Sequence, residues 1–202
     1  MANADTKLGF LPVNRGGQDT SGAVKYFYVA ATDTTPLYVG DPVVKTANGA
    51  NSTALLNFPI GTLPEITLAG TSTTTSPITG IVVGVLNQKN ISENITYSAG
   101  SVARVIEVNT DILQEYEIEC NAAPTSSMTQ VGLNANWVAG TADSIFGGSG
   151  ANLALSTADT TATLQFKILR FENRIDNAAT GANAKAVVSI NFSTEAPNTA
   201  GI

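Results

Sequence analysis

The chain has 202 residues, a formal net charge of −6 at pH 7 and only 13% charged residues, against about 25% in a typical soluble domain. A chain of this length can bury a core without cross-links, and its single cysteine, Cys120, allows no intrachain disulfide. Because an acidic chain is repelled by phosphate backbones and by anionic lipids, the composition argues against nucleic acid and membranes as partners.

The sequence contains no histidine. This removes the usual general base, the commonest metal ligand and every Ser-His-Asp or Cys-His arrangement. Zinc sites built on cysteine and histidine are excluded for the same reason. We therefore predict no catalytic residues, no metal ligands and no cofactor, and we expect the protein not to be an enzyme.

Residues 1–22 are polar and rich in glycine, apart from a short apolar run at 8–13. Pro12 fixes its own φ and biases Leu11 toward extended backbone. These features predict an extended N-terminal arm that docks a few apolar side chains onto another surface. The first ten residues lack the basic and apolar regions of a secretory signal, so we expect synthesis and folding in a cytoplasm.

Strand candidates follow in series, rich in β-branched and aromatic residues and separated by Gly, Pro, Asn and Asp. They lie at 23–30, 36–45, 78–86, 101–108, 111–120, 164–171 and 186–193. No window shows apolar residues at helical spacing over three turns. We predict an all-β protein with a small barrel or sandwich at 23–192 and a polar C-terminal tail at 193–202. A division of this core into two β modules near residue 122 stays open.

Two stretches have the composition of loops. Residues 46–77 include three prolines and a run of Thr and Ser, and residues 139–151 are rich in glycine. Because long structureless loops are uncommon in compact domains, we predict that 46–77 is a loop-rich insertion with short strands of its own. Residues 139–151 are predicted to form a flexible turn region.

The segment 111–120, DILQEYEIEC, alternates between apolar and acidic residues. Successive side chains of a strand point to opposite faces, so Tyr116, Ile118 and Cys120 are expected to face a core. Cys120 is then a small buried hydrophobe rather than a nucleophile. The opposite face carries three carboxylates: Glu115, Glu117 and Glu119.

These three carboxylates admit two interpretations. A glycosidase needs a pair of carboxyl groups at about this spacing, set beside aromatic platforms, yet the chain has a single tryptophan, Trp137. We therefore interpret the acidic face as solvated or facing a partner. Arg104, Lys167 or Arg170 could offset its charge from a neighbouring strand.

Several short motifs resemble a known group of proteins. They are MANADTKLGFLPV at 1–13, GDPVVK at 40–45, GIVVGV at 80–85, AGSVARV at 99–105, DILQEYEI at 111–118 and AVVSIN at 186–191. In this order the motifs resemble head decoration proteins, also called cement proteins, of tailed bacteriophages. The 46–77 segment departs from the minimal barrel of that family.

The resemblance implies a small β barrel that binds the outside of a phage head, often as a homotrimer at three-fold positions, and stabilises the shell. It implies the major capsid protein as partner and the capsid exterior of the virion as location. Since extended termini commonly grip neighbouring capsomers, the arm is expected to anchor the protein to the shell. The expected anchors are Leu8, Phe10, Leu11, Pro12 and Val13.

Two further functions remain as alternatives. A tail or fibre structural subunit would share this composition, and only its position in the particle would separate it. A carbohydrate-binding β sandwich would expose a row of aromatic side chains. Tyr26 and Tyr28, which share one strand face, are the best candidates for such a row.

Overall fold

The structure, a computed structural model, describes residues 3–13, 23–71, 76–86, 96–124, 127–172 and 174–196. Its strands are β1 (Leu11–Val13), β2 (Val24–Val29), β3 (Pro42–Ala50), β4 (Pro64–Leu68), β5 (Gly80–Val85), β6 (Arg104–Asn109), β7 (Glu115–Glu119), β8 (Asn134–Val138), β9 (Asn152–Asp159), β10 (Phe166–Phe171) and β11 (Lys185–Ile190). A single helical turn, α1 (Ser127–Gln130), precedes β8. The prediction of an all-β protein with a barrel or sandwich is confirmed.

Five strands between Val24 and Asn109 close into a barrel in the order β2-β4-β3-β5-β6. β6 pairs with β2 to complete the closure. Alternation along each strand decides which side chains point inward. Phe27 and Val29 of β2 meet Ile106 and Val108 of β6 in a buried cluster. The barrel interior is therefore filled with side chains, as expected for a barrel with so few strands.

The segment 46–77 contributes to the barrel wall, because it contains the end of β3 and all of β4. Between these strands, the loop at 51–63 folds back over the outer surface of the barrel. Leu55, Phe58 and Leu63 from this region pack against Tyr28 and Val105 there. The barrel thus has a second, smaller apolar layer on its outside.

Six strands form a second sheet in the order β1-β7-β11-β10-β8-β9. Five of them come from the second half of the chain, but the edge strand β1 comes from the N-terminus. Leu11 pairs opposite Glu117 and Val13 opposite Glu115. Pro12 fits this position because an edge strand needs only one row of backbone hydrogen bonds.

The barrel and the sheet share one apolar core. Trp137 and Phe166 from the sheet lie in the same buried cluster as Ile78 and Ile81 from the barrel side. Gln165 reinforces this contact, since its Nε2 donates hydrogen bonds to the carbonyl oxygens of Gly70 (2.7 Å) and Ser76 (2.9 Å). Packing across the junction therefore connects the two β units.

Tyr116 is fully buried in this core, and its hydroxyl makes no hydrogen bond to any described residue. Burial raises the pKa of this phenol above its usual range. A buried polar group without a partner costs free energy, so we expect Tyr116→Phe to leave the free energy of unfolding unchanged or to raise it by about 1 kcal/mol. Denaturant unfolding of the two proteins measures the difference.

Tyr28→Phe is the matched control for this prediction. The Tyr28 side chain is also buried, but its hydroxyl lies 3.3 Å from Thr53 Oγ1 and can bond to it. We expect this variant to lose up to about 1 kcal/mol. A Tyr116→Phe protein destabilised by more than its Tyr28→Phe counterpart would contradict the prediction.

Candidate functional site

The described part of the N-terminal arm, residues 3–13, lies along the chain's own sheet. The Asn3 side chain donates to the carbonyl oxygens of Ala178 (3.1 Å) and Ala182 (2.8 Å) and accepts from Ala178 N (2.6 Å). Thr6 donates from N and Oγ1 to Glu119 Oε2, both at 2.8 Å. The arm is thus held at several points before β1 begins.

The arm then passes between the barrel turn at Gly40 and the loop that carries Ser149. Phe10 N donates to Gly40 O at 3.0 Å. Gly9 has φ = 62°, and a Cβ at this position would lie 2.5 Å from Ser149 Cβ, so the passage accepts only glycine here. This close approach fixes the direction in which the next side chain, Phe10, enters the protein.

The five predicted anchors occupy different environments. Phe10 is 1% exposed, and its ring stacks on Phe166 (centroids 4.3 Å apart) and meets Tyr116 edge-on (6.4 Å). Leu11 and Val13 are half-buried in β1, whereas Leu8 and Pro12 are exposed. Phe10 therefore belongs to the chain's own core, and contact of this arm with another molecule stays a prediction for Leu8 and the β1 residues.

The acidic face of β7 is largely occupied by the chain itself. Glu115 pairs with Arg170 (2.6 Å), and Glu117 pairs with Arg174 (2.9 Å). Glu119 is buried beneath the arm, where it accepts the hydrogen bonds from Thr6. The alternation predicted for this strand is correct, and the three acids act as partners of arginines and of the arm.

Two of the suggested cationic partners form no ion pair with these acids within the described ranges. Arg104 belongs to β6 and is buried opposite Val29 on the inner face of the barrel. Lys167 is exposed on β10 and pairs in register with Ser189. Arg174, which does bind the acidic face, was missed because it follows β10 in an irregular connection whose geometry no periodicity predicts.

Cys120 is buried next to β7, as the alternation predicts. Burial, together with the charge of Glu119, raises the pKa of the thiol to about 12. The thiol is therefore protonated near neutral pH and is a poor nucleophile.

Within the described ranges, no group of three or more Asp, Glu, Cys or His side chains is arranged to hold a metal ion.

Tyr26 and Tyr28 do not form an exposed aromatic row. Tyr26 is 44% exposed and packs against Phe58 with ring centroids 5.3 Å apart, whereas Tyr28 is 2% exposed. The loop at 51–63 covers Tyr28. This strand face therefore offers one accessible ring rather than a platform for a sugar chain.

Among the described residues, the most exposed pair of large apolar neighbours lies in a hairpin at 143–148, inside the region predicted as a flexible turn. Ile145 is 76% exposed and Phe146 is 83% exposed. Both backbone N–H groups donate to Asp143 Oδ1, at 2.9 and 3.2 Å, and Asp143 N donates to Gly148 O at 2.9 Å. The tip of the hairpin is thus ordered by its own hydrogen bonds.

The base of the hairpin is fixed to the barrel. Val39 N donates to Gly147 O (3.0 Å), and Ser149 N donates to Val39 O (2.9 Å). Gly147 has φ = 76°, and a Cβ there would lie 2.1 Å from Thr96 O. The hairpin therefore presents two apolar side chains to solvent from a rigid support. Two adjacent large apolar residues within a Gly, Ser and Asp-rich segment are the sequence signal that could have identified it.

Comparison with known proteins adds no further assignment. No protein-family model, curated protein or solved structure matches the chain. Among the described residues, no helix has the length and apolar character needed to cross a membrane. The candidate site thus rests on the geometry of the arm, the acidic face and the 143–148 hairpin.

Proposed function

We propose that the protein is a non-enzymatic structural component of a tailed-phage particle, which binds the outer surface of the head and stabilises its shell. Its partner is then the major capsid protein, and it acts as a homotrimer at three-fold positions. The motif resemblance to decoration proteins is the origin of this proposal. The 143–148 hairpin is the observation in the fold that supports it best.

The hairpin supports a binding role because its two large apolar side chains are not buried in the chain's own core. Ile145 and Phe146 remain exposed to solvent, although hydrogen bonds hold the hairpin backbone in place, both within the hairpin and against the barrel. Burying each of them against a partner would contribute about 1.5–3 kcal/mol. A rigid support keeps the entropic cost of binding low. Three copies in one trimer would multiply a weak contact by avidity.

The test uses particles that lack the protein, to which purified protein is added back. We expect the double variant Ile145→Ser, Phe146→Ser to bind such particles at least about tenfold more weakly, because it loses most of that apolar contact. Its unfolding midpoint should equal that of the unaltered protein. Co-sedimentation with the particles measures binding, and thermal unfolding measures stability.

Ile175→Ser provides the matched control. Ile175 is 94% exposed, but it lies in the connection between β10 and β11 and is separate in sequence from the hairpin. We expect this variant to bind normally. Equal binding by the double variant and the unaltered protein would refute the assignment of the hairpin as the contact surface.

A tail or fibre subunit is the competing structural role, and the copy number in purified particles separates the two. Gel densitometry against the major shell protein gives this number. Hundreds of copies in a simple ratio to the shell protein are expected for lattice decoration. A handful of copies would replace the head assignment with a tail or vertex position.

A further inference from the structure

A buried carboxyl group lies at the junction between the barrel and the hairpin. Asp41 is 6% exposed. One of its oxygens accepts a hydrogen bond from Ser149 Oγ, and the other accepts from Tyr38 N at 2.8 Å. Within the described ranges, no lysine or arginine forms an ion pair with it. A buried carboxylate without a cation is costly, so a cation that reached Asp41 would stabilise its ionised form.

Beside Asp41 lies a cleft of about 170 Å³ that opens to solvent. One wall belongs to the barrel and the other to the sheet and the hairpin base. The lining is mainly apolar and includes Pro36, Tyr38, Leu68, Trp137, Ala139 and Ala142. Sites for drug-sized ligands are usually about 300–1,000 Å³. The cleft therefore suits a group about the size of one side chain.

Ring stacking and a hydrogen bond hold the two aromatic residues that line the cleft. The Tyr38 ring stacks on Tyr97 with centroids 4.7 Å apart. The indole Nε1 of Trp137, another residue that lines the cleft, donates to Gly70 O at 2.9 Å, which fixes the orientation of its ring. A preformed site with one buried charge and aromatic walls has the composition that recognises ammonium groups in proteins. A carboxylate oxygen can accept two hydrogen bonds, so each oxygen of Asp41 has capacity beyond its present donor.

We propose that this cleft binds a primary alkylammonium group, such as a lysine side chain carries, with Asp41 as its counter-ion and with Tyr38 and Trp137 against its methylene chain. The ammonium group would donate to the free lone pairs of the carboxylate. Burial raises the pKa of Asp41 to about 6, an effect that the hydrogen bonds from Ser149 and Tyr38 N only partly oppose. The carboxyl group is therefore ionised near neutral pH and available to such a cation.

Isothermal titration calorimetry of the full chain with n-butylammonium chloride tests the site, at about pH 7.5 and constant ionic strength. We expect saturable binding with a Kd in the millimolar range, as suits a ligand of a few heavy atoms. n-Butyrate, which has a similar chain and the opposite charge, should not bind. Nα-acetyl-lysine N-methylamide should bind like butylammonium if the natural occupant is a protein side chain. Binding of butylammonium alone would assign the site to free amines.

Asp41→Asn is the decisive variant, because it removes the charge while keeping the shape and an acceptor for Tyr38 N. We expect it to bind butylammonium at least about tenfold more weakly. Asp159→Asn, which alters an exposed acid on β9, should bind normally. Equal affinity of the Asp41→Asn and unaltered proteins would overturn the proposal, and so would a complete lack of saturable heat.

A second measurement needs no variant, should Asp41→Asn fail to fold. The carboxyl carbon of Asp41 can be followed by NMR while the pH is varied. A bound cation stabilises the ionised form, so saturating butylammonium should lower the apparent pKa of Asp41, whereas the same concentration of sodium chloride should not. An unchanged titration curve would show that the amine does not reach the carboxyl group.

Discussion

Replacement of Phe10 by alanine is expected to lower the free energy of unfolding by about 3–5 kcal/mol. The Phe10 ring fills the space between Phe166 and Tyr116, so its removal forfeits apolar burial and leaves a cavity. For a chain of this length such a loss corresponds to a fall of roughly 10 °C in the unfolding temperature. Thermal and urea unfolding followed by Trp137 fluorescence measure the effect, because Trp137 lies in the same buried cluster.

Leu8→Ala is the matched control for Phe10→Ala. Leu8 is a large apolar residue of the same arm, two positions away, but it is 47% exposed. We expect Leu8→Ala to change stability by less than about 1 kcal/mol. If Phe10→Ala unfolds within about 2 °C of the unaltered protein, the placement of the arm in the core is wrong. This comparison also separates an effect on folding from an effect on partner binding. Truncation of the whole arm would not, because it removes the buried Phe10 together with the exposed Leu8.

Replacement of Asn51 by alanine is expected to cost about 3 kcal/mol. The Asn51 side chain is buried and bonds to four backbone groups of its own loop. Its Nδ2 donates to the carbonyl oxygens of Thr53 and Pro59, and its Oδ1 accepts from the N–H groups of Thr62 and Leu63, at 2.8–3.0 Å. Alanine leaves these groups without their partner, and an unsatisfied buried group costs about 1–3 kcal/mol. The loss should appear as a lower urea midpoint.

Asn134→Ala is the matched control for Asn51→Ala, because it removes the same side chain from a position that is less buried. Its Nδ2 makes one exposed hydrogen bond, to Thr161 O at 3.1 Å, so we expect a cost below about 1 kcal/mol.

A second measurement, amide hydrogen exchange, shows which part of the fold Asn51→Ala loosens. The loop at 51–63 covers Tyr28, so amide exchange on β2 should accelerate in this variant and not in the control. Unchanged exchange on β2 would contradict the role assigned to the loop.

Strong alternation made much of the fold predictable. The segment 111–120 placed Tyr116, Ile118 and Cys120 on the buried face correctly, because a one-residue shift would have put three carboxylates into the core. Dense β-branched runs likewise predicted β2, β5, β6, β10 and β11 to within a few residues. In these segments the local pattern and the tertiary packing favour the same structure.

β8 and β9 were not predicted, because their residues carry little strand signal. Asparagine is depleted in strands, yet Asn136 is buried in β8, where its Oδ1 accepts from Gln165 N at 3.2 Å. That partner is distant in sequence, so the stabilising bond cannot be read from the local pattern. β9 (Asn152–Asp159) consists largely of small residues, and its packing against β8 decides its conformation.

The candidate site was predictable only in part. An apolar run after a polar start indicates that the arm docks, but it does not say whether the arm docks on its own chain or on another. The packing of Phe10 against Phe166 decides this for one residue. The cleft beside Asp41 combines the turn at 38–41 with the loop at 139–151, and their proximity depends on how the barrel and the sheet pack together.

The pairing of β1 with β7 has a consequence for folding during synthesis. All five barrel strands are present once Asn109 has been made, whereas every strand of the second sheet except β1 comes later in the chain. The second sheet cannot accept β1 until β7 has emerged, and Phe10 has no stacking partner until Phe166 follows. Contacts this distant in sequence slow folding, and unburied apolar segments favour aggregation in the meantime. β1 precedes every other described strand in the chain and is therefore among the last of them to find its partner.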